Sequence, residues 1–268
     1  MAYKDILVHM DNSPHCEARL DLAINLAKQY GAHLTGLYVI SHPHYKPQQD
    51  GAGSTSKEVE ATFLREVAAV GISAQWQLVD WAVTGVNMVE IINMHAYYKD
   101  LLVVGQTRPD TLVEDVPADL PERVVLGSGC PVLVVPFAGK FNRIGEHVMV
   151  AWHAGRETAR ALHDAMPLLE NAQKVSVVEV SNATGAGNDS FSDANLDDYL
   201  KRHNIHAKKE TIVADISIGD VLLNHAWDQS CDLLVMGAYG KPHLGALTIS
   251  AVAENVLKHM TVPVLFSH

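Results

Sequence analysis

The sequence predicts two consecutive copies of a doubly wound α/β domain, and three observations carry that expectation. Asp100-Leu-Leu-Val-Val-Gly105 recurs as Asp232-Leu-Leu-Val-Met-Gly237, and Pro131-Val-Leu-Val recurs as Pro263-Val-Leu-Phe at the same offset. Ile6-Leu-Val-His-Met-Asp11 lines up with Val148-Met-Val-Ala-Trp-His153 at a slightly longer offset, so the copies differ in loop length. Within each copy, short apolar runs alternate with helical patterns. Such alternation forces parallel strand pairing with right-handed crossovers, hence a twisted sheet covered by helices on both faces. Solenoid repeats run roughly 20 to 50 residues, so a repeat this long is a duplicated domain.

In the first copy, Ile6 to Met10 reads as a strand. Cys16, Leu20, Ala23, Ile24 and Ala27 then form one stripe of a helix that ends near Gly31. Leu34 to Ile40 is the second strand. A polar loop, Ser41 to Ser56, leads to a helix carrying Val59, Phe63 and Val67, then to a strand at Ala74 to Val79. A third helix places Met88, Ile92 and His95 on one side. Leu101 to Val104 is the fourth strand, Glu122 to Leu126 a short helix stopped at Gly127 or Gly129, and Val132 to Val135 the fifth strand.

The second copy follows the same plan. Its strands are Val148 to Trp152, Val175 to Val180, Ala207 to Val213, Leu233 to Met236 and Val264 to Phe266. Helices are expected over Glu157 to Asn171, Leu196 to His203, Asp220 to Gln229 and Ala251 to His259, with a loop at Ser181 to Asn195. Pro167 should kink the first of these helices. The expected domains are residues 1–140 and 145–268.

Composition narrows the function. The 268 residues carry 20 Lys and Arg against 31 Asp and Glu, a net charge of −11, which disfavours nucleic acid and anionic membrane surfaces as partners. Three cysteines, Cys16, Cys130 and Cys231, without C-x-x-C spacing fit a reducing cytoplasm. No secretion signal and no apolar run of about 20 residues is expected. The 15 histidines are scattered, and His42-Pro-His44 is the nearest approach to a metal pair, so no metal site is expected. Ser13, Ser128 and Ser250 lack the G-x-S-x-G elbow, and Cys16 falls on a buried stripe, so no catalytic residue is assigned. Trp76, Trp81, Trp152 and Trp227 read as packing residues.

Ligands of doubly wound sheets bind beyond the carboxyl ends of the strands, which directs attention to the loops after strands one and four. After strand four of the second copy comes Gly237-Ala-Tyr-Gly240, and Ser250-Ala-Val-Ala opens the next helix. Glycines allow close backbone approach to a phosphate, and a helix N-terminus presents free N–H groups. A tight strand-to-loop turn accounts for G-x-x-G spacing equally well.

The duplicated pattern, Asp232-Leu-Leu-Val-Met-Gly-Ala-Tyr-Gly240 and the ending Val256-Leu-Lys-His-Met-Thr-Val-Pro-Val-Leu265 resemble the universal stress protein family in its tandem form, over essentially the whole chain. The resemblance implies two five-stranded parallel sheets of order 3-2-1-4-5 and a cytoplasmic, stress-responsive regulatory protein. Some members of that family bind ATP. It implies G-x-x-G, nine residues, then G-[S/T], with an Asp ending strand one.

Here the second copy has Gly237 and Gly240, but Ser250 and Ala251 stand in the final pair and His153 replaces the Asp. Weak binding of ATP or AMP is expected there, at Ala151, His153, Val180, Met236, Gly237, Gly240, Ser250, Ala251 and Val252. Ser250 is expected to crowd the phosphate, and Ala251 lacks a donating hydroxyl. The first copy keeps Asp11 but has Arg108 for the second glycine and Ala118-Asp119 for G-[S/T]. Asp119 is expected to accept the helix N–H groups, within a negative field from Asp110, Glu114 and Asp115. That copy is expected to be structural.

The copies are expected to pack as an intramolecular pseudo-dimer through Val132 to Val135 and Val264 to Phe266, with homodimer formation and protein partners left open. Two alternatives stand beside this reading: an ATP-hydrolysing or nucleotidyl-transfer enzyme of a related fold, and a scaffold without small ligand. The loops Ser41 to Ser56 and Ser181 to Asn195 would cover the pocket mouth.

Overall fold

A computed structural model of the chain describes residues 2–40, 52–81, 85–107, 116–181, 193–239 and 248–268. It comprises two units, Ala2–Asn142 and Arg143–His268. Both have the doubly wound α/β architecture that the alternating pattern predicts.

The N-terminal unit runs β1 (Asp5–Met10), α1 (Cys16–Tyr30), β2 (His33–Ile40), α2 (Ala52–Val70), β3 (Ala74–Asp80), α3 (Met88–Ala96), β4 (Leu101–Gly105), α4 (Leu120–Gly127) and β5 (Val132–Val135). Its strands pair in parallel in the order β3-β2-β1-β4-β5. The C-terminal unit runs β6 (His147–Ala151), α5 (Arg156–Asp164), α6 (Met166–Leu169), β7 (Lys174–Ser181), α7 (Asp193–Arg202), β8 (Ala207–Val213), α8 (Ile218–Asp228), β9 (Leu233–Gly237), α9 (Ala251–His259) and β10 (Val264–Ser267). Its order is β8-β7-β6-β9-β10, again all parallel.

Burial explains why the central strands read as unbroken apolar runs. Ile6 to Met10 and Leu101 to Val104 are buried throughout, because helices cover both faces of a parallel sheet. β3 and β8 carry partly exposed residues along their length, and polar residues intrude there.

The helix ends decide between two alternatives in one case and correct an expectation in the other. Gly129, at φ +70°, takes the left-handed position after α4, while Gly127 is the last helical residue, at a place where a Cβ would collide with the Asn93 side chain. Pro167 interrupts rather than kinks. α5 stops at Asp164 and the separate turn α6 starts at Met166, since proline supplies no N–H and crowds the preceding carbonyl. The expected pocket-covering loops lie outside the described residues for their greater part, at 41–51 and 182–192, as do His42 and His44. Among the described residues, no helix is long and apolar enough to cross a membrane.

The Asp that opens each repeated strand-four motif has one role in both units. Asp100 Oδ2 accepts the N–H groups of Lys4 and Asp5, at 2.6 and 3.0 Å. Asp232 accepts three, from Gly145, Glu146 and His147, at 3.0, 2.9 and 3.2 Å. Each carboxylate thereby fixes where the first strand of its unit begins, and so where its far end, the ligand end, comes to lie.

Candidate functional site

The two units differ at the carboxyl ends of their strands. In the N-terminal unit Asp11 follows β1, where the sequence places a carboxylate, but the carboxylate is already engaged. Arg19, on the buried face of α1, brings Nη2 to 2.8 Å from Asp11 Oδ2, and Asp11 Oδ1 accepts the Ser13 N–H at 2.9 Å. Burial alone would push the Asp11 carboxyl up; the adjacent Arg19 guanidinium, together with His9 and the hydrogen bonds from Ser13, outweighs that and holds it well below the usual carboxylate range. Gly105, at the end of β4, leaves the room that the Arg19 guanidinium fills. The cavity remaining there is about 130 Å³.

Asp119 does not act as expected. Its side chain makes no cap bond to α4 and lies 3.9 Å from Arg123 instead, and Pro121 removes one of the N–H groups it would have accepted. Asp110, Glu114, Asp115 and Arg108 lie outside the described residues.

The C-terminal unit holds a larger cavity, about 470 Å³, beyond β6, β7 and β9. Ala151, His153, Val180, Met236, Gly237, Ser250 and Val252 line it, all expected from the sequence. Ala251 is not in the lining, and Gly240 lies outside the described residues. The sequence reading missed Trp152, Glu157, Thr158, Glu179 and Tyr239. A signal for Glu157 was present: it falls in the first turn of the helix after strand one, which opens at the ligand end. Trp152 therefore borders the cavity rather than the core, and Trp227, 71% exposed, is not a packing residue.

Two residues expected to face phosphate have other duties. A Cβ at Gly237 would lie 2.9 Å from the Glu157 backbone, so this glycine admits α5 close against β9. Ser250 Oγ turns back to accept the Ala253 N–H at 3.0 Å and caps α9, rather than intruding into the cavity. The chain leaving β9 is held by the Ser250 N–H donating to Ala238 O at 2.9 Å and by an antiparallel bridge of Tyr239 with Ile249.

The family model described as the universal stress protein family matches residues 2–136 and again 146–268. The chain belongs to the universal stress protein family. Among solved structures, this tandem universal stress protein is similar to one from Archaeoglobus fulgidus DSM 4304, at 18% identity and a TM-score of 0.74. That alignment covers 98% of this chain and 95% of the other. A functionally unknown protein from Pseudomonas aeruginosa PAO1 aligns at 16% identity and a TM-score of 0.65, over 99% of this chain and 92% of the other. Identities this low establish a shared fold. No curated protein matches this universal stress protein.

Proposed function

We propose that the C-terminal unit is a stress-responsive regulatory module that takes the adenosine part of an adenine nucleotide, ATP or AMP, weakly, and that the N-terminal unit does not. One contrast supports this reading above all: a cavity of about 470 Å³ at the ligand end of the second unit, against about 130 Å³ over an ion-paired floor in the first. Val178, Val180, Ile218, Leu222 and Met236 give the larger cavity an apolar wall suited to a flat base, and Thr158, Ser181 and Tyr239 give it hydroxyls.

Titration calorimetry on the full chain tests this with adenosine, AMP and ATP. One site per chain is expected. Val180→Trp, at a half-buried lining position, should abolish it, and Thr107→Trp, in the lining of the first unit, should leave it intact. Binding that survives Val180→Trp and is lost with Thr107→Trp would place the site in the wrong unit.

A further inference from the structure

We infer that the C-terminal cavity selects ligands of low negative charge, a nucleoside over its polyphosphate. The inference rests on the adenosine-binding reading above and adds the charge class. The first turns of α5, α8 and α9 border this cavity, and each carries an acidic residue, Glu157, Asp220 and Glu254. At α5, Glu157 lies in the first turn and its Oε2 folds back to 3.4 Å from where a Cβ of Gly155, the capping residue, would stand. That carboxylate makes no cap hydrogen bond but puts a negative charge beside the helix N-terminus, where the dipole favours one and a phosphate arriving there is repelled. At α9, Ser250 Oγ consumes the Ala253 N–H.

The lining charges point the same way. Glu157 and Glu179 both border the cavity, and among the described lining residues none is Lys or Arg. Two carboxylates in a partly enclosed site repel a phosphate chain more strongly than they would in open water, because less solvent screens them. Gly237, the first glycine of the G-x-x-G spacing, serves to seat α5. Apolar wall and hydroxyls remain, which suit a base and a sugar.

Competitive calorimetry at low ionic strength reads this directly. Adenosine should bind at least ten-fold more tightly than ATP, with AMP between them. Glu157→Gln and Glu179→Gln should each tighten ATP several-fold and narrow the adenosine-to-ATP ratio of the same variant by that factor. Should either variant fail to fold, raising the salt on the parent protein should narrow the gap, since screening acts on the charged ligand alone. ATP binding as tightly as adenosine, or more so, would overturn the inference and leave the adenosine-binding reading standing. A gap insensitive to both substitutions and to salt would also overturn it, and absence of binding by all three ligands would remove both.

Discussion

His9 is 1% exposed, and neither ring nitrogen has a hydrogen-bond partner among the described residues; the Asp11 carboxylate stands 3.9 Å away. Burial lowers its pKa from 6.5 to about 4, Asp11 partly opposing and Arg19 adding to the effect. The folded state therefore holds His9 neutral, while the unfolded chain takes up a proton as pH falls through 6.5. Stability from this group is complete above pH 6.5 and is lost between 6.5 and about 4, a span worth about 3 kcal/mol in all. About 2 kcal/mol of that falls between pH 7 and 5. Urea unfolding at the two pH values should show His9→Gln losing less stability on acidification than the parent, by about that amount. Equal losses would mean that His9 is not held neutral.

Ser250 and Ala251 carry a second prediction at the residue scale. Ser250→Gly with Ala251→Ser frees the Ala253 N–H at the opening of α9 for a phosphate oxygen; residue 251 itself does not line the cavity, so the freed N–H carries the expectation. A hydrogen bond to a charged group contributes about 1.5 to 3 kcal/mol, so ATP should tighten by about ten-fold or more. Glycine is a tolerable cap, and the loss of stability should be only a few tenths of a kcal/mol. Unchanged ATP affinity in a folded double variant would remove α9 from the binding site.

Among the elements, the strands were the most legible part of the sequence, and the reason is physical. β1, β4, β6 and β9 are buried on both faces, so each shows as an apolar run bounded by polar residues. The candidate site was legible where position along the fold determines it: Ala151, Val180 and Met236 fall at strand ends, Ser250 and Val252 at the opening of α9, and all line the cavity. Side-chain rotation was not legible, which is why Ser250 was read as an obstruction when it is a cap. Arg19 was missed for a related reason. It sits three residues from Cys16, on the buried face of α1, and only its pairing with Asp11 makes a buried guanidinium tolerable.

The strand-four aspartates give the prediction at this scale. Asp232, half-buried, holds three backbone N–H groups, whereas Asp100, exposed, holds two. Asp232→Ala should destabilise the C-terminal unit by about 2 kcal/mol, and Asp100→Ala the N-terminal unit by about 1 kcal/mol. Denaturant titration orders them; a larger loss at Asp100 would assign the anchoring to something other than these bonds.

For the whole molecule, duplication followed by divergence leaves two copies of one fold with opposite provisions at the ligand end. In the first, a guanidinium from α1 neutralises the strand-one carboxylate and takes up space beside Gly105. In the second, His153 replaces that carboxylate, the buried Ala161 of α5 stands in the place of Arg19, and a cavity stays open. A ligand that binds only the folded second unit stabilises by RT ln(1 + [L]/Kd), about 2.7 kcal/mol at a hundred-fold excess over Kd. Hydrogen exchange with saturating adenosine should therefore slow amides of β6, β7 and β9 and leave the exchange of β1, β2 and β4 unchanged. Protection concentrated instead around His9, Asp11 and Arg19 would mean that the ion pair opens to admit ligand, and that the first unit is the binding one.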